Sequence, residues 1–194
     1  MRVLVACEES QVVCKAFREK GHEAYSCDII DCSGGHPEWH IQQDVIGLLK
    51  EQWDIIIAHP PCTFLCVPGA HYLHKQKDRW EKMYKAREFF MIFFNHNYSK
   101  VCIENPVPHK YAKLPKYNQI IHPWMFGHEQ VKRTALWLKG LPLLKPTKIM
   151  ENHGERYFRK DGSVSNSKWY AKSNAKQRSK TFEGIANGMA EQWG

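Results

Sequence analysis

The sequence predicts an α/β protein built on a doubly wound, mostly parallel sheet of Rossmann-like type, and three observations carry that expectation. Short apolar runs rich in β-branched residues alternate with helical patterns along the chain. The strongest run, WDIIIA at 53–58, has no polar alternation, as expected of a parallel strand covered on both faces. Chemically capable residues, Asp28, Asp44, Cys62 and Glu104, fall just past the expected strand ends, which is where ligands gather in such folds.

Residues 2–7 read as the first strand. Ser10 then caps an amphipathic helix that carries Val12, Val13, Ala16 and Phe17 and stops near Gly21. Residues 23–27 form a second strand running into Asp28, residues 40–44 a third, and residues 45–52 a helix. The 53–58 strand follows and ends in His59-Pro60-Pro61-Cys62. From 76 to 98, Trp80, Met83, Tyr84, Phe90, Met91 and Phe94 recur at three- and four-residue steps, which describes one long helix with a buried stripe. Residues 100–103 give a strand leading into Glu104-Asn105-Pro106, and residues 134–138 give another.

A chain of 194 residues with 43% apolar and 25% charged side chains fits one globular domain spanning 1–194, neither disordered nor fibrous. No run approaches the roughly 20 apolar residues that span a bilayer, and the opening MRVLVACEES meets acids too early for a signal peptide. A cytoplasmic location, no membrane association and no obligate protein partner are therefore expected. Seven cysteines, an odd number, read as reduced thiols. Cys27, Cys32, His36 and His40 lie close in sequence, but no C-x-x-C pair occurs and Pro37 breaks the His36–His40 spacing, so no metal is expected.

The formal net charge of +8 is concentrated late in the chain: residues 145–180 hold ten Lys or Arg against three acids. Such asymmetry points to an anionic partner, most simply a polynucleotide backbone. Tyr157, Phe158, Trp169 and Tyr170 interleave there with Arg156, Arg159, Lys160, Lys168 and Lys172, a mixture that suits base stacking and phosphate contact. Packing of the same aromatics into the core fits the pattern equally well.

The double proline presents the Cys62 thiol on a rigid turn, and Glu104-Asn105 supplies a carboxyl and an amide one strand crossover later. In these residues the chain resembles the cytosine-C5 DNA methyltransferase family, as a compact, bacteriophage-type member. Ala58-His59-Pro60-Pro61-Cys62-Thr63 resembles that family's G-G-P-P-C-Q nucleophile loop and Glu104-Asn105-Pro106 its E-N-V motif. Ile185-Ala186-Asn187-Gly188-Met189 resembles the late I-G-N-A-V motif, and Gln130-Val131-Lys132-Arg133-Thr134 more weakly Q-x-R-x-R. The resemblance implies the class I methyltransferase fold, S-adenosyl-L-methionine as cofactor and DNA as substrate. Cys62 would bond to C6 of cytosine so that C5 can accept a methyl group, with Glu104, Asn105 and Arg133 as further catalytic residues.

It also implies a cofactor site formed by Cys7, Glu8, Glu9, Ser10, Asp28, Ile29, Asp44, Pro60 and Asn187. Two departures stand out. The glycine-rich first loop is replaced by Ala6-Cys7-Glu8-Glu9-Ser10-Gln11, and only a short basic segment, 145–180, occupies the place of the target-recognition region. The same chemistry on RNA or a free pyrimidine nucleotide remains open, as does methylation of an amino group, since a polar residue before Pro-Pro also resembles the D/N-P-P-Y/F/W motif. A non-catalytic nucleic-acid-binding protein that keeps the fold is the alternative of a different class.

Overall fold

The structure, a computed structural model, describes residues 1–154, 157, 158, 164, 165, 169 and 172–194. Strands β1 (Arg2–Ala6), β2 (Glu23–Asp28), β3 (His40–Gln42), β4 (Ile55–Ala58), β5 (Val101–Pro106), β6 (Gln119–Ile121) and β7 (Thr134–Lys139) form one sheet in the order β3-β2-β1-β4-β5-β7-β6. The first five are mutually parallel, and β7 runs antiparallel to both its neighbours. A separate pair, β8 (Tyr157–Phe158) and β9 (Val164–Ser165), lies in the basic segment. The helices are α1 (Val12–Glu19), α2 (Arg79–Asn95), α3 (Ala175–Ser179) and α4 (Glu183–Trp193).

Both faces of the sheet are covered, which explains the unalternating apolar strands. Val3, Val5, Ile55, Ile57, Cys102 and Leu136 pack with α1 and α4, while Leu4, Ala6, Ile56, Ala58, Ile103 and Trp137 pack with α2 and the 45–49 turn. Strand order reverses beside β1, between β2 and β4, so ligands are expected beyond the carboxyl ends of β1 and β4. Among the described residues no helix is long and apolar enough to cross a membrane.

Several expectations change. The helix over 45–52 reduces to one 3-10 turn, Leu48–Lys50, because Val45, Leu48 and Leu49 must all enter the same core and a short turn brings them there. Helix α1 starts at Val12 and Ser10 gives it no side-chain cap. In α2 the sheet-facing row is Met83, Phe90 and Phe93, leaving Tyr84 51% and Phe94 38% exposed. Those two lie about 100° round the helix from Met83 and Phe93, off the contact line. Strand β6, only three residues long, has no counterpart in the sequence reading.

The late motif at 185–189 lies inside α4, with Ile185, Ala186, Gly188 and Met189 buried and Asn187 exposed. Just before it, a Cβ on Gly184 would sit 1.9 Å from the Phe126 carbonyl oxygen. Gly184→Ala is therefore expected to destabilise the fold by about 1–3 kcal/mol, read as a lower denaturation midpoint. Gly47→Ala, whose nearest neighbour would be 3.7 Å away, serves as a near-neutral control.

Candidate active site

The site grows out of the pairing of β4 with β5, which aligns Ile56 with Val101, Ile57 with Cys102 and Ala58 with Ile103. The next residue on each strand, His59 and Glu104, therefore meet, and His59 Nδ1 lies 2.8 Å from Glu104 Oε2. One step further, Asn105 Nδ2 donates to the Pro60 carbonyl at 3.0 Å and fixes the proline turn that presents Cys62. Cys62 is partly exposed, whereas Glu104 and Asn105 are buried.

Burial alone would raise the Glu104 pKa, but the hydrogen bond from His59 and the nearby Lys132 outweigh it and hold the carboxyl below its ordinary range. For His59 burial alone would favour the neutral ring; the bond to Glu104, its charge and that of Glu8 reverse this and raise the pKa. Each shift favours the charged form of its group, carboxylate on Glu104 and imidazolium on His59. Glu104 contributes stability above its unfolded pKa and loses it as pH falls through its lower folded value; His59 contributes below its unfolded pKa and loses it as pH rises through its higher folded value.

Burial pushes most of the shifted thiols up, Cys14 to about 12, Cys27 to about 11, and Cys7 and Cys102 also upward. Cys66 is the exception. One turn after Cys62, with its amide donating to the Cys62 carbonyl at 3.0 Å, it receives the Cys62 thiol hydrogen bond and is drawn down to about 7. The amides of Gly69 and Cys66 itself and the charge of Arg79 assist. Cys62, donor of that bond and desolvated, is pushed up. Of the two thiols, Cys66 is therefore the more readily ionised.

At the end of β1, the buried Glu8 carboxylate accepts from the amides of Val13 at 2.7 Å and Cys14 at 3.2 Å. It does the capping that Ser10 was expected to do, and it fills the anion-attracting N-terminus of α1. Desolvation raises the Glu8 pKa against the pull of His59 and of these amides. Cys7 and Gln11 hold left-handed backbones at φ 60 and φ 58, conformations that usually need glycine. Gln11 is locked there by His36, whose amide and carbonyl it engages at 3.0 and 2.7 Å. A Cβ on Gly34 would come within 2.4 Å of Gln11, so the close-approach glycine lies in the neighbouring loop rather than the first one.

Asp28 ends β2 with Ile29 exposed beside it, and Asp44 is exposed after β3. Their carboxylates accept the Ile30 amide at 3.3 Å and the Ile46 amide at 2.9 Å, and both charges reach Cys7. Ser10 is buried and Glu9 half-buried. At this end of the sheet Glu9 Oε2, His59 Nε2 and Asn105 Oδ1 are buried without a hydrogen-bond partner among the described residues. Asn187 is exposed on α4. His36 instead stacks on Trp39 and His40 bonds Ser26, and among the described residues no three potential ligands gather as a metal site.

Of the two cations in 132–133, Arg133 is exposed and Lys132 is the one whose charge acts on Glu104, His59 and Cys62. Lys132 Nζ also donates to the Arg178 carbonyl at 2.9 Å. No local signal in the sequence separates the two, because β7 is buried on both faces from Thr134 to Trp137 and residues 131–133 lie before the strand. His59 enters the sequence reading only as the polar residue before Pro-Pro. Of the basic residues expected to meet nucleic acid, Lys172 is exposed, and Arg156, Arg159, Lys160 and Lys168 lie outside the described residues.

A second basic, aromatic rim escaped the sequence reading. The chain after Cys62 is stitched to the chain after Glu104 by Val67 N to Val107 O at 3.3 Å and His109 N to Leu65 O at 2.9 Å. Beyond this seam His74, Trp80 and Tyr111 meet edge-on at 5.5 to 5.8 Å, with Lys110 Nζ 5.1 Å from the Tyr111 ring. Tyr72, Tyr84 and Tyr111 are exposed along it.

Among solved structures, the chain is similar to the Entamoeba histolytica methyltransferase EhMeth, at 12% identity and TM-score 0.50 over 77% of this chain and 57% of that one. It is also similar to a protein described as a DNA modification methyltransferase encoded within an E. coli prophage, at 13% identity and TM-score 0.48 over 77% and 52%. The chain thus spans little more than half the length of either. No family model and no curated protein matches. The fold is the Rossmann-like α/β fold of the Entamoeba methyltransferase.

Two outcomes test this geometry. Glu104→Gln leaves a buried imidazolium without its nearest carboxylate and is expected to cost on the order of 3 kcal/mol near pH 6, less at high pH where His59 is neutral. Thiolate absorbance should titrate near pH 7 in the native chain and move to the ordinary thiol range in Cys62→Ala, because Cys66 loses its hydrogen-bond donor.

Proposed function

We propose that this chain is an S-adenosyl-L-methionine-dependent methyltransferase acting on C5 of cytosine in DNA. The observation that carries the reading is the β4–β5 register, which sets the Cys62 turn against Glu104 and Asn105 through contacts of 2.8 and 3.0 Å. C5 of cytosine is a poor nucleophile until a thiolate adds to C6. Cys62 passes its proton to Cys66 and its sulfur bonds to C6, while Glu104 delivers a proton to N3 as charge develops there. The free Asn105 oxygen accepts from the exocyclic amine, and Lys132 steadies the Glu104 charge.

The residues just past β1, β2 and β3 fit the cofactor in part. Asp28 suits ribose hydroxyls, and Glu9, Asp28 and Asp44 suit a positively charged molecule, whereas the α1 amides are occupied by Glu8 and do not receive its carboxylate. Bound there beside Pro60, the cofactor supplies an electrophilic methyl group. The aromatic rim at 72–84 and 110–111, together with the basic 145–180 segment as a minimal recognition element, favours a polynucleotide over a free nucleotide. In a duplex the target base must leave the stack to reach Cys62.

The filled α1 N-terminus supports a second reading, a nucleic-acid-binding protein without catalysis. Calorimetry decides between them: heat on adding cofactor, weakened roughly tenfold to a hundredfold in Asp28→Ala, supports the enzyme, and none at millimolar cofactor supports the binding module. Transfer of labelled methyl to DNA, lost in Cys62→Ser, is the direct test, with RNA and deoxycytidine monophosphate as competitors. Labelling that survives Cys62→Ser contradicts the thiol mechanism.

A further inference from the structure

His59 is the first residue after β4, and its side chain is only 10% exposed. Its Nδ1 meets Glu104 on β5 at 2.8 Å, and its Nε2 is buried with no hydrogen-bond partner among the described residues. Glu8, beyond the end of β1, is a second buried carboxylate acting on the same ring, and Lys132, just before β7, is the cation acting on it. An imidazole hydrogen-bonded to one buried carboxylate and within the field of a second is favoured in its protonated form, and here the bonded carboxylate, Glu104, lies on the strand beside the Cys62 turn.

We propose that His59 is a positioning residue that stores the proton Glu104 delivers to the substrate ring and afterwards recovers from it; this rests on the reading in which Cys62 adds to cytosine. In the resting site the proton is on Nδ1 and Glu104 is a carboxylate. As Sγ of Cys62 bonds to C6, the C5–C6 π pair shifts toward C4 and the C4–N3 pair onto N3. N3 takes a proton through Glu104, which is replenished from Nδ1. The thiolate charge disappears into the S–C bond, the ring stays neutral and His59 becomes neutral imidazole. After the methyl group reaches C5 and H5 leaves to water, expulsion of Sγ re-forms the C5–C6 double bond and the N3 proton returns through Glu104 to Nδ1.

A carboxylate alone, ionised at neutral pH, would have no proton to give; the imidazolium behind it supplies one without exposing the site to water. The addition therefore slows as pH rises and His59 loses its proton, with Glu104, Glu8 and Lys132 setting where that happens.

The test uses the full chain labelled with nitrogen-15 in histidine, whose ring nitrogens report protonation directly. His59 is expected to remain imidazolium at pH values where exposed histidines, with pKa about 6.5, are neutral, and Glu8→Gln is expected to lower its midpoint. In parallel, His59→Gln keeps an N–H facing Glu104 but cannot release a proton. Its kcat should fall roughly 10²-fold or more, with KM for an oligonucleotide nearly unchanged and the high-pH decline of the rate removed. A neutral His59 at pH 7 in an active chain overturns the inference alone, as does a rate loss in His59→Gln that is the same at every pH. An imidazolium in a chain that cannot add its thiol to cytosine overturns the methyl-transfer reading, and this inference with it.

Discussion

The parallel pairing of β4 with β5 is the constraint on which the rest of the molecule depends. Both strands are buried on both faces, so a slip of one residue would exchange every core side chain for its neighbour on the opposite side. The register that the core enforces is the register that makes His59 face Glu104 and Pro60 face Asn105. Crossover helix α2 closes the unit, with Met83, Phe90 and Phe93 against the sheet. Site geometry here is a by-product of hydrophobic packing, which is why short loops suffice to hold it.

The charges placed on that frame are costly. Glu8 and Glu104 are both buried carboxylates, compensated by α1 amides, one imidazole and one lysine. Apolar residues of similar volume are often at least as stabilising as a buried ion pair. Stability therefore gives little reason for these groups to be there, and proton chemistry gives a direct one. The left-handed backbones at Cys7 and Gln11 belong to the same economy, strain held in place by Gln11 gripping the His36 backbone.

What was legible in the sequence follows from what leaves a local signature. Strands β1, β4 and β5 show as β-branched apolar runs, and the Cys62 turn shows through its prolines. Strand β6 is too short to carry a pattern, and the reversed direction of β7 is a matter of topology rather than composition. Ser10 satisfied every local rule for a cap, yet Glu8 reaches over it to the same amides. The stripe on α2 was drawn too wide, because aromatics at 84 and 94 obey helical spacing while lying off the contact line. At the site the Cys62 turn and the Glu104-Asn105 pair were readable as neighbouring positions, whereas the surroundings of His59, Lys132 and Cys66 depend on contacts across strands and turns that spacing alone does not reveal.

The central claim is a bond between Cys62 and carbon 6 of a cytosine ring. An oligonucleotide carrying 5-fluorocytosine tests it most directly, because fluorine at C5 cannot leave as a proton and the adduct, once methylated, cannot collapse. Mass spectrometry of protein incubated with that oligonucleotide and S-adenosyl-L-methionine should show one covalent complex, mapped by digestion to the peptide containing Cys62 and heavier by the oligonucleotide plus a methyl group. Unmodified protein under conditions where the oligonucleotide is bound, or an adduct mapped to another residue, would contradict the account.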